Sequence, residues 1–338
     1  MALPRSIIVW PLCALLLAAA PALDIDPDVR AVLTRYLRFS AGEIADLQRG
    51  KVVRHGLDAT ASGEVAVAGA VRVNAPKAAL LDRVRDIVRF KQGGDVLQIG
   101  RFSDPPILDD LAALVVDRDD FDPRSCRLGD CGVRLSADVI RRVPQEIDLR
   151  ASDAQAGAEA LFKQVLLDNV TAYMTGGAGR MAQFDDGPSA IRPVDELAGV
   201  LANMPSIGAL LPRLPAHLKD FPSSRMPDTE DFLYWSKERF GAAPFITVTH
   251  VTIVCRSVQT CIVTTKDVYS SRYLDASLTL TIATDAGPGV FYLVYANRSR
   301  ANALKGALGN LKRSIAGRRA RSGLEEQLKT LKTQLEQS

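Results

Sequence analysis

Histidine, tryptophan and cysteine are all scarce in this chain, with three His, two Trp and five Cys among 338 residues. No two histidines stand at ligand spacing on one element, so the His-Glu-x-x-His zinc motif is absent. The Gly-x-Ser-x-Gly elbow, the P-loop and the Gly-x-Gly-x-x-Gly turn are missing too, which removes the sequence support for several large enzyme classes. The cysteines are too few for a disulfide scaffold, and no Cys-x-x-Cys redox or haem-attachment motif occurs. Beyond the first 22 residues no apolar run approaches the roughly 20 residues of a membrane span. With 47% apolar residues and a formal charge of only +3, the composition is that of a chain that folds around a core, in one large or two ordinary domains.

What is present first is an address. Arg5 precedes an apolar run from Ile7 to Ala20, and Ala20-Pro21-Ala22 has the small-x-small pattern of a cleavage site. This reads as a secretory signal peptide over 1–22. Cys13 follows Trp10-Pro11-Leu12, without the small residue of a lipoprotein site. An exported protein is expected, in the periplasm or outside the cell and soluble after cleavage. The remaining cysteines form two local pairs, Cys126 with Cys131 and Cys255 with Cys261. Four cysteines allow three pairings, and an oxidising compartment favours the two local disulfides. The spacing is wider than that of structural zinc sites, so neither a metal nor a cofactor is expected.

Helical spacing marks 26–39, and Ser40-Ala-Gly-Glu43 has the spacing of a capping box for a second helix to Gln48. Residues 50–63 are polar and punctuated. Glu64 to Val73 alternates, with Val65, Val67, Gly69, Val71 and Val73 on one face of a strand. Asn74-Ala-Pro76 ends it, and a helix over 77–88 follows. Short strands are expected at 96–99 and 114–116. A helix from Ser152 to Tyr173, another over 194–204, proline-broken pieces, and a helix carrying Phe232, Leu233, Trp235 and Phe240 make the middle of the chain, about 140–240, a helical insertion. Strands over 245–254 and 262–269 form a hairpin with the Cys255–Cys261 loop at its tip. A third strand, 274–283, turns Leu278 and Leu280 to the core under the closing helix. Val290 to Ala296 is apolar on both faces, as a central strand is.

The run Gly63-Glu-Val-Ala-Val-Ala-Gly-Ala-Val-Arg-Val-Asn-Ala-Pro76 and the block from Phe245 to Ile315 resemble, in their order of elements, the START-like helix-grip (SRPBCC) superfamily. That resemblance implies an α+β fold in which an antiparallel curved sheet grips a long C-terminal helix around a cavity. The expected divisions are N-terminal helices over 23–63, the START-like domain with its insertion over 64–320, and an amphipathic tail helix over 321–338. The implied function is binding of an apolar ligand, a lipid, at or near an envelope membrane. His250, Tyr269, Tyr292 and Trp235 are the side chains expected to line the cavity. An enzyme using His250 with an acidic residue, and a structural envelope protein acting through its C-terminal helix, are the alternatives.

Charge adds a second candidate. Residues 298–338 hold ten Lys or Arg against three Glu, a charge of +7, whereas the rest of the mature chain carries −5. Arg298, Lys305, Lys312 and Arg319 recur every seven residues, as a stripe that suits an anionic membrane surface or an acidic partner. Export argues against nucleic acid. Leu304, Leu308, Leu311 and Ile315 fall on one helical stripe, and Leu324, Leu328, Leu331 and Leu335 fall roughly 200° away at 100° per residue. Both cannot pack on one sheet through an unbroken helix. A break near Gly323 is expected, or else an unbroken helix whose final leucines face a different partner.

Overall fold

The computed structural model describes residues 24–337 apart from 188, 241–242 and 307–308. The segment read as a signal peptide, and Leu308, lie outside the described residues. Eight strands form one antiparallel sheet: β1 (Val53–Leu57), β2 (Glu64–Val73), β3 (Val96–Arg101), β4 (Thr229–Phe240), β5 (Ala243–Cys255), β6 (Thr260–Ser270), β7 (Ala276–Gly287) and β8 (Val290–Arg300). Their order is β1-β2-β8-β7-β6-β5-β4-β3. Strands β3 to β8 run as a meander. β2 closes against β8 in a ten-residue antiparallel register from Glu64↔Arg300 to Val73↔Phe291. At the tip of the β5–β6 hairpin Cys255 pairs with Cys261, and both expected disulfides, Cys126–Cys131 and Cys255–Cys261, are present.

Helices cover both faces of the sheet. On one face lie α1 (Pro27–Ala31), which continues as a π-helical turn to Tyr36, and α2 (Ala41–Gln48), opened by the expected Ser40/Glu43 capping box. α5 (Ala137–Glu146), α6 (Ala154–Gly176), α7 (Pro193–Ala202), α8 (Pro205–Leu210) and α9 (Leu214–Asp220) lie on that face as well. On the other are α3 (Lys77–Arg85), α4 (Ile87–Lys91) and α10 (Gly309–Glu336). The architecture is α+β, with the C-terminal helix packed on an open antiparallel sheet. The helices of the middle segment pack on the face opposite to it.

Three of the expected elements need correction. Residues 229–240 form a central strand rather than a capped helix. Phe232 and Tyr234 enter the core on the α10 side while Leu233 and Trp235 enter it on the other. A short run that is apolar on both faces and rich in aromatics is what a doubly covered strand requires, and such runs are ambiguous by periodicity alone. β1 lies in the stretch read as punctuated loop. Residues 114–116 make no ladder, because the Val115 and Val116 amides donate instead to Gln98 Oε1 (2.9 Å) and Glu159 Oε2 (3.1 Å).

Leu278 and Leu280 are fully buried, as expected, but not under the closing helix. They pack with Leu197, Val200, Ile207 and Leu210 of α7 and α8 and with the α1 residues. Nor does α10 break at Gly323. It runs unbroken, and its second stripe takes the sheet: Leu324, Leu328 and Leu335 are buried with Val67, Val71 and Val73 of β2. Gly69 makes this approach possible, since a Cβ there would lie 2.8 Å from Leu328 Cδ1 and 3.1 Å from Leu324 Cδ2. Of the first stripe, Leu311 and Ile315 are turned away from the sheet.

Candidate functional site

The four side chains expected to line a cavity are separate parts of packed cores. Trp235, fully buried, donates its indole N–H to the Asp110 carbonyl at 2.8 Å. Tyr269 donates to the Arg134 carbonyl at 3.0 Å, and Tyr292 is buried among the residues of α1, α7 and β8. Among the described residues, two of the surface depressions can be placed. One, a crevice of about 20 Å³ between Leu37, Leu57, Met204 and Arg298, has room for a single water. The other is an open hollow beside Lys77, Asp285 and Gly289. Neither borders His250, Tyr269, Tyr292 or Trp235.

His250 sits in a buried polar network assembled from α6, α9, β4, β5 and β6. Its Nδ1 accepts from the Tyr173 hydroxyl (2.7 Å), and its Nε2 donates to Asp231 Oδ1 (3.0 Å). His217 donates from Nε2 to the same oxygen (3.0 Å), while its Nδ1 accepts the Met226 amide (3.2 Å). These bonds set the tautomers: each imidazole is neutral with its proton on Nε2. Thr252 adds a third bond to Asp231 Oδ1 (2.8 Å), and Thr229 reaches Oδ2 (3.2 Å). Burial alone would raise the Asp231 carboxyl. The bonds from His217, His250 and Thr252 outweigh that and hold it well below the usual carboxylate range. Burial pushes His250 down to about 4, against the opposing pull of Asp231, and raises the Tyr173 phenol. The acidic partner expected for His250 thus exists. Both ring nitrogens are engaged inside the core, however, so the arrangement holds a neutral imidazole in place and presents it to nothing outside.

Lys266 closes the network. Its Nζ donates to the Leu218 carbonyl (2.5 Å) and lies 5.0 Å from the centre of the Tyr173 ring. Burial pushes its ammonium down to about 7, with Asp231 and Asp220 opposing. Between pH 7 and the ordinary lysine value of 10.5, the unfolded chain therefore binds one proton more than the folded chain, and stability rises with pH. Unfolding free energies of the wild type and Lys266→Met, measured in urea at pH 7.5 and pH 10, are expected to differ in pH dependence by roughly 3 kcal/mol. Parallel pH dependences would mean that Lys266 is solvated.

The residues expected at a membrane surface divide. Arg298 is buried and ion-paired with Glu64, whose other oxygen accepts from Arg300 (3.2 Å). It is a core cation, drawn inward because a carboxylate buried on β2 needs one. Lys305 lies 3.4 Å from Glu196. Lys312 and Arg319 are exposed on the first half of α10. Beside them stand Leu311, 58% exposed, and Ile315, 39% exposed. At 100° per residue Leu311, Lys312, Ile315, Arg318 and Arg319 share the side of α10 opposite Leu324 and Leu328. No acidic residue occurs from 286 to 324.

Among the described residues no group of three or more His, Cys, Asp or Glu is arranged to hold a metal ion, and no helix is long and apolar enough to cross a membrane. Comparison with protein-family models, with curated proteins and with solved structures finds no match.

Proposed function

We propose that this chain is an exported lipid-associated protein that acts at an anionic membrane surface, held there by the outward face of the first half of α10. The observation that carries this reading is the pairing of exposed Leu311 and Ile315 with exposed Lys312, Arg318 and Arg319 on the helix face turned away from the sheet. A face of that kind lies in a headgroup layer with its leucine and isoleucine among the upper acyl carbons and its cations on the lipid phosphates. The START-like reading is supported by the antiparallel sheet with α10 across one face. The packed positions of His250, Tyr269, Tyr292 and Trp235 favour a lipid surface outside the protein over a lipid molecule within it. The paired disulfides fit an oxidising compartment.

Sedimentation with vesicles tests the proposal. Residues 23–338 are expected to bind phosphatidylglycerol vesicles at low salt, to bind phosphatidylcholine vesicles far less, and to be released as salt rises. The double variant Leu311→Ser/Ile315→Ser is expected to lower the partition by roughly tenfold or more, with its melting temperature nearly unchanged because both side chains are exposed. Equal binding of wild type and variant, or none to the anionic vesicles, would overturn the reading. A lipid that co-purifies mole for mole in native mass spectrometry would instead place the ligand inside.

A further inference from the structure

One short segment packs against the polar network around Asp231, the strap of residues 221–228 that leaves α9. Its two buried residues anchor it. The Phe221 ring stacks on Tyr173 with centroids 5.7 Å apart and lies 4.5 Å from the His250 ring, and Met226 packs with the residues of α7, α8 and α9. Between them Ser223 and Arg225 are exposed. The turn holds itself through the Ser224 amide, which donates to the Asp220 carbonyl at 3.1 Å. Its tie to the network is different in kind, because the Met226 amide donates to an imidazole nitrogen, His217 Nδ1, at 3.2 Å.

That tie requires a neutral imidazole. His217 spends its Nε2 proton on Asp231 Oδ1, so a second proton would go on Nδ1 and set N–H against the Met226 N–H. A backbone amide cannot turn away as a hydroxyl can. A proton on His250 Nδ1 would likewise take from the Tyr173 hydroxyl its acceptor. The charged and titratable groups around the two rings are Asp231 on β4, Lys266 on β6, Tyr173 on α6, Asp220 at the exposed end of α9, and Arg225 on the strap, 3.9 Å from Asp231 Oδ2. Lys266 and Arg225 already balance the one buried carboxylate, so an imidazolium would add an uncompensated cation to a fully buried site. The depression of His250 to about 4 by burial agrees. With the strap open, water reaches His217, which then takes a proton near the ordinary histidine value of about 6.5. Below that value the open form binds more protons than the closed form, and closure weakens as the pH falls. The neighbours titrate elsewhere, Lys266 from about 7 upward and Asp231 below the usual carboxylate range.

We infer that residues 221–228 are an acid-released strap with His217 as its catch. The strap is closed at neutral pH and opens as the pH falls below about 6, while the sheet beneath it stays folded. Opening bares Phe221, Met226 and the Tyr173–His250–Asp231 chain, which the closed form keeps from water. The device lies on the sheet face opposite to α10 and does not depend on the lipid reading.

Hydrogen exchange of residues 23–338, followed by mass spectrometry from pH 7.5 to pH 5 and expressed as protection relative to the unfolded chain at each pH, tests the inference. Peptides covering 221–228 are expected to lose protection roughly thirtyfold over that range, the amount for one histidine of ordinary affinity that stays neutral while the strap is closed. Peptides of β7 and β8 are expected to keep theirs. His217→Gln offers an acceptor and a donor but takes no proton, and is expected to flatten the change in the strap. His55→Gln, whose ring lies between Glu43 and the Leu37 carbonyl instead, is expected to leave it intact. A change in the strap of less than about threefold, or one matched by β7 and β8, would overturn the inference. So would the wild-type pH dependence in a folded His217→Gln protein. If that variant does not fold, the wild-type series decides alone.

Discussion

A chain ending at Arg321 is expected to lose its cooperative unfolding transition, or to melt far below the full-length protein. The truncation removes Leu324, Leu328 and Leu335, which are buried against Val67, Val71 and Val73, together with the Arg54–Glu325 ion pair at 2.6 Å. Removing a buried leucine costs about 2–5 kcal/mol. Three of them reach about 6–15 kcal/mol, the size of a whole domain's stability. Circular dichroism melts of the two chains measure the difference. A truncated chain with a near-native melt would show that the tail is an appendage and that the first leucine stripe carries the packing. The sequence reading places the tail outside the domain. The buried leucines and the close approach allowed by Gly69 place it in the core.

Asp231→Ala is the second large effect. The carboxylate accepts from His217, His250 and Thr252 on one oxygen and from Thr229 on the other. Its removal leaves two imidazole N–H groups and a hydroxyl buried without an acceptor, at about 1–3 kcal/mol each. A loss of about 4 kcal/mol or more is expected at pH 7 in urea titrations. The effect has a pH signature. The folded-state carboxyl is held below its ordinary range, so its contribution is fully present above the unfolded value near 4 and is lost as pH falls from there. The gap between wild type and Asp231→Ala is therefore expected to narrow with acidification below about pH 4. Asp231→Asn keeps one acceptor and is expected to cost less. Should the alanine variant fall within 1 kcal/mol of wild type at pH 7, the network is solvated rather than buried.

Several features follow from the chain's local chemistry alone. Strand β2, the β5–β6 hairpin with its disulfide tip, the alternation of β7, the doubly apolar β8, helix α6 and the Ser40/Glu43 box all rest on contacts within a few residues or on a period that sequence displays. The two leucine stripes of the last helix were likewise visible as two, roughly 200° apart. What local pattern cannot supply is the occupant of each face. Only the closure of β2 against β8 decides that α10 rests on Gly69 with its second stripe and turns Leu311 and Ile315 outward. Only the pairing of β4 with both β3 and β5 makes a strand of 229–240. The histidines make the same point: His217 and His250 are 33 residues apart and share no motif, yet the fold brings both to one oxygen of Asp231. Arg298 reads as a surface cation until β2 buries Glu64 beside it. Local structure is set by short-range sterics and hydrogen bonding, which the order of residues carries. Burial, and with it the charge state and partner of every polar side chain, is set by contacts between segments far apart in the chain, which only the folded sheet brings together.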